Sequence, residues 1–131
     1  MPQTAFGSTL QFLREQRCLS LRELARLSEI DHAYIFRLES GDKESPSDEV
    51  ISKLIRALKM TKREADIFKY AAEHNTTDAG LVTYVLKDQA VSYEVFAAAA
   101  GAVFRGNTRP DYAKLIDRVR KILDMENEGD G

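Results

Sequence analysis

The side chains that could do chemistry in this chain of 131 residues lack the spacing of an active site. It has two histidines, His32 and His74, and one cysteine, Cys18. No serine stands in a pattern with a base, no acidic pair forms a catalytic signature, and no glycine-rich loop is built to cradle phosphate. One cysteine excludes an intrachain disulfide and gives no metal cluster; beside Leu19, its thiol is expected to be buried or half-buried. The sequence therefore points away from an enzyme, a metal site or a cofactor. What remains is non-covalent recognition by polar side chains, densest between Ser20 and Lys43.

Those side chains need a scaffold, and the local pattern supplies one. Leu21, Leu24, Ala25 and Leu27 give an apolar face to one short helix, and Ile30, Ala33, Ile35 and Leu38 supply sites around a second. Ser20 followed by Glu23 has capping-box spacing, which satisfies two otherwise free backbone N–H groups. Ser28-Glu29-Ile30 interrupts the pair, and Asp31 is placed to cap the second helix. Two short helices joined this tightly suit a helix-turn-helix, whose second helix enters a DNA major groove.

The flanking segments read as helices too. Phe6, Leu10 and Leu13 recur at helical spacing in Thr4 to Gln16. Either Pro46 follows a Ser45 cap or Ser47 is the cap of a fourth helix bearing Val50, Ile51, Leu54, Ile55 and Leu58. Thr61 and Glu64 form a second capping box, before Ile67, Phe68, Ala71 and Ala72. Residues 81–86 fit a strand by residue preference and a helix by context, and the helix is preferred. A segment from Ser92 to Phe104 contains Gly101, which favours a kink or break there. Tyr112, Leu115, Ile116, Val119, Ile122 and Leu123 mark the last helix, ahead of an acidic frayed tail from Glu126.

Charge argues neither way. The net charge of −2 offers no global attraction for phosphate. Residues 1–60 are neutral, so only moderate, salt-sensitive affinity per monomer is expected. The first residues lack a basic region followed by an apolar core, and no run approaches membrane-spanning length, so the cytoplasm is the expected address.

Residues 6–60 resemble the Cro/C1-type helix-turn-helix family, also called the XRE family. The resemblance rests on Leu13-Arg14, Leu19-Ser20, Leu24-Ala25, Ile35, Leu38-Glu39, Gly41, Pro46, Leu54 and Ala57-Leu58. It implies a five-helix lambda-repressor-like DNA-binding domain, here followed by a small helical dimerisation region, all-α throughout. It also implies that Arg14 and Glu39 form a structural ion pair and that Asp31, His32, Ala33, Tyr34 and Arg37 face base edges. Arg37 can donate to guanine or phosphate, and Tyr34 can meet phosphate or a thymine methyl. Arg22 and Lys43 are the phosphate candidates. Phe36 is left between packing toward the preceding helix and exposure near a dimer or DNA face. Leu21 departs from the family pattern, where many members carry a glutamine that bridges to the DNA backbone.

The resulting division is residues 1–75 for DNA binding, 76–80 as linker, 81–126 for oligomerisation or partner binding, and 127–131 as a disordered tail. Val103, Phe104, Leu115, Ile116, Val119 and Ile122 are the expected dimer contacts. A dimeric repressor of its own or neighbouring genes is the leading expectation. The alternatives are an antitoxin that covers a protein toxin and autoregulates, a repressor cut by a partner metallopeptidase, and a helical adaptor that binds no DNA.

Overall fold

The computed structural model describes residues 4–42, 46–74, 76–101 and 111–129, with side chains to residue 125. Among these, eight helices follow one another: α1 (Ala5–Gln16), α2 (Leu21–Ser28), α3 (His32–Ser40), α4 (Asp48–Ala57), α5 (Lys62–Glu73), α6 (Ala79–Lys87), α7 (Tyr93–Gly101) and α8 (Tyr112–Gly129). The fold is all-α, with an N-terminal helix-turn-helix region and additional C-terminal helices.

Side-chain caps set most of the starts. The hydroxyls of Thr4, Ser20, Ser47 and Thr61 each accept a backbone N–H from the first turn of α1, α2, α4 and α5. Ser20–Glu23 and Thr61–Glu64 complete full capping boxes. Ser47, rather than Ser45, caps α4, which leaves Pro46 outside the helix. Residues 81–86 are helical, inside α6. Burial explains this: Leu81, Val82, Val85 and Leu86 recur at helical spacing and are all buried.

α1 is the post around which the molecule is assembled, packing against α3, α5 and α6. Leu10, Leu13, Leu24, Ile35, Leu38, Leu54, Ile67, Phe68, Val82 and Phe96 are fully buried in one continuous core. The Phe6 and Phe68 rings stack at 4.5 Å. The Asp78 side chain caps α6, Ala79 and Gly80 lie within that helix, and Asp78 accepts the Tyr112 hydroxyl of α8 at 2.7 Å. Arg63 of α5 closes the far side, donating to the carbonyls of Val85, Asp88 and Val91.

Several local expectations are corrected. Cys18 is exposed, because the chain turns there through a left-handed backbone (φ 56°) that sends Leu19 inward and the thiol outward. Leu27 is 54% exposed instead of sharing the inner face of α2. Leu115, Ile116 and Val119, expected as dimer contacts, are buried inside their own chain, where α8 packs on α7. Ile122 and Met125 are the large apolar residues of α8 that stay exposed among the described side chains. Val103 and Phe104 lie outside the described residues. α8 itself runs on to Gly129, through most of the segment expected to be a disordered tail.

Candidate nucleic-acid interface

The pair α2–α3 is joined by a turn in which Glu29 adopts a left-handed conformation (φ 60°) and the Ile30 N–H returns to the Ala25 carbonyl at 3.2 Å. The arrangement ends α2 within one residue and swings α3 across it. At the other end of the unit, Ser20 donates its N–H to Glu23 and accepts one back at 3.0 Å, so the start of α2 is fixed as well. The Ser20 backbone donor holds the Glu23 carboxyl below its ordinary value.

α3 has two dissimilar faces. Ile35, Leu38 and Glu39 are buried, and Tyr34 is half-buried at the margin of the core. His32, Ala33, Phe36 and Arg37 are exposed on the opposite side, at the i, i+1, i+4 and i+5 positions of one helical surface. Asp31 is the N-cap by backbone position, yet its carboxylate caps no N–H; it lies 3.8 Å from the His32 ring nitrogen, with both side chains well exposed.

The inner face is anchored by charge and by a close backbone approach. Arg14 grips Glu39 with two bonds, Nε to Oε2 at 2.7 Å and Nη2 to Oε1 at 2.9 Å. Its remaining nitrogen donates to the Leu19 carbonyl at 2.8 Å, so one guanidinium ties α1, the entry to α2 and the end of α3. The hydrogen bond to Glu39 raises the Arg14 pKa above its ordinary value, against the opposing effect of burial. Gly7 lies directly beneath the last turn of α3: a Cβ at this position would sit 2.5 Å from the Glu39 carbonyl oxygen and 2.6 Å from that of Leu38. Gly41, at φ 88°, then ends the helix.

A helix-turn-helix family model matches residues 10–64 of the chain. Residues 10–64 are thus similar to a helix-turn-helix domain. Over 56 residues the chain is 41% identical to the HTH-type transcriptional repressor RghR of Bacillus subtilis (strain 168). That match covers 43% of this chain and 42% of RghR, so the likeness spans less than half of either protein. No solved structure matches the chain.

Within the helix-turn-helix domain, the expected reader residues are thus divided. Asp31, His32, Ala33 and Arg37 stand on the open face of α3, whereas Tyr34 belongs mainly to the core margin. Arg22 is exposed in the first turn of α2; Lys43 lies outside the described residues. Leu21 is half-buried against the core, which accounts for an apolar residue where a polar bridge to DNA is common. Of the two settings open to Phe36, the structure shows the exposed one, and the close approach at Gly7 carries no signal in residue spacing. No group of three or more His, Cys, Asp or Glu among the described residues is placed to hold a metal ion, and no helix among them is long and apolar enough to cross a membrane.

Proposed function

We propose that this protein is a sequence-specific double-stranded DNA-binding transcriptional regulator that works as a dimeric repressor. The observation that carries the reading is the asymmetry of α3. Its inner face is locked by Arg14–Glu39 and by contact with Gly7, while its outer face presents Ala33 and Arg37 with nothing from the core across them. In this reading α3 lies in the major groove. Arg37 forks onto a guanine, His32 and Asp31 meet base edges at the leading turn, and Arg22 holds a phosphate. RghR, described as a repressor, supports the repressing mode.

A neutral reader gains little from phosphate attraction, so two half-sites are needed. The last three helices supply the second copy: Ile122 and Met125, exposed by 50% and 69% on α8, form the contact face. A two-fold axis there sets the two α3 helices about 34–36 Å apart.

The test is selection of binding sites from a random duplex pool by the full-length protein, followed by affinity on the winning duplex and a scrambled one at two salt concentrations. Arg37→Ala is expected to weaken the selected duplex roughly 10- to 100-fold and to relax specificity at one base pair per half-site. A folded protein that enriches no sequence overturns the reading. Ile122→Asp, on an exposed position, is expected to leave the melting temperature nearly unchanged while producing monomers by light scattering and weaker binding. A variant that stays dimeric with full affinity removes α8 from the interface.

A further inference from the structure

We infer that Phe36, seated beside Ala33, is a specificity-determining residue that reads the C5-methyl group of thymine. The inference rests on the assignment of α3 as the DNA reader and adds the chemistry of one base it selects.

Phe36 is 55% exposed, in contrast with Phe6, Phe68 and Phe96, all of which are buried. It is on the outward surface of α3, three residues from Ala33 and adjacent in sequence to Arg37. Side chains on a helix lean toward its N-terminus, so the ring covers the turn that carries His32 and Ala33. That is the turn that leads the helix into the groove. Ala33, with a single methyl, leaves room for the ring and continues its apolar surface.

Among the groups that base pairs present in the major groove, hydrogen-bond donors and acceptors have nothing to gain from a phenyl ring. The C5-methyl of thymine is the apolar feature there, and an apolar side chain contacts it favourably. Arg37 then reads a neighbouring guanine while the Ala33–Phe36 strip reads the methyl. A groove of about 330 Å³ lined by Leu27, Lys53, Arg56 and Lys59 does not include Phe36.

The experiment uses the full-length protein and the duplex enriched from the random pool. Each thymine in turn is replaced by deoxyuridine, which removes only the methyl. At one position per half-site, the substitution is expected to weaken wild-type binding about fourfold, and about 15-fold when both half-sites are changed. Phe36→Ala is expected to bind the thymine and deoxyuridine duplexes equally, with its melting temperature preserved because the side chain is exposed. Replacing the same T·A pair by 5-methylcytosine·G is expected to bind better than C·G in the wild type and no better in the variant. Equal binding of the thymine and deoxyuridine duplexes by the wild type overturns the inference while leaving α3 as the reader. So does a variant that keeps the wild-type ratio, or one whose only change is in self-association. A pool that enriches no sequence removes the reader assignment itself, and this inference with it.

Discussion

Gly7→Ala is expected to lower the stability of the protein by about 2 kcal/mol and to abolish high-affinity binding of its selected duplex. Two effects compete at this position. Alanine inside a helix is favoured over glycine by up to about 1 kcal/mol. Against that, the new methyl would lie 2.5 Å and 2.6 Å from two backbone oxygens of α3, far inside van der Waals contact. Neither oxygen can rotate away as a side chain would, so α3 must shift or the helices must part, a strain of the kind that costs about 1–3 kcal/mol or more. The strain wins. A fall in melting temperature of several degrees follows for a chain of this size. Binding should suffer beyond the fraction unfolded, because the turn displaced is the one that sets the pitch of the reader. Gly101→Ala is the matched control: a Cβ there meets nothing within 4 Å, so its effect should be near zero or slightly stabilising. Equal melting temperatures and equal affinities for wild type and Gly7→Ala would show that the contact does not orient α3.

How much of this was legible in the sequence depended on the range of the interaction. Caps and periodic apolar faces are local, so Ser20, Thr61 and the stripes of α4 and α5 could be read directly, whereas residues 81–86 of α6 also suited a strand and needed their helical context. The turn was legible from Ser28 to Ile30, although its left-handed residue is a glutamate and not a glycine. Gly7 was invisible because its meaning lies in a backbone that comes from residues 38 and 39. The stripe of α8 showed that Leu115, Ile116 and Val119 must be buried, but not against what; the answer is their own chain. The same ambiguity hid the role of residues 76–80. Small polar residues suit a linker, and they also suit a helix cap held down by a tyrosine from α8. Phe36 could not be placed from periodicity because its neighbours Ile35 and Leu38 already satisfy the inner face.

Arg14→Ala is expected to cost about 3–5 kcal/mol, a large share of the stability of a typical domain. The size follows from what stays behind. Glu39 is only 5% exposed, and without the guanidinium fork its carboxylate remains buried with its main charge partner removed. The loss is read by denaturant titration of wild type and variant side by side. Arg14→Lys restores the charge but not the three-way donation to Glu39 and Leu19, and is expected to rescue only part of the loss. The double substitution Arg14→Met with Glu39→Leu separates the two jobs of the pair. Replacing a buried ion pair by packed apolar side chains is often close to neutral for stability. If the pair exists to fix the angle of α3, the double variant should melt near wild type and still discriminate poorly between the selected and scrambled duplexes. Full discrimination in a stable double variant would reduce the ion pair to a structural contact and leave the backbone approach at Gly7 as the element that aims the reader.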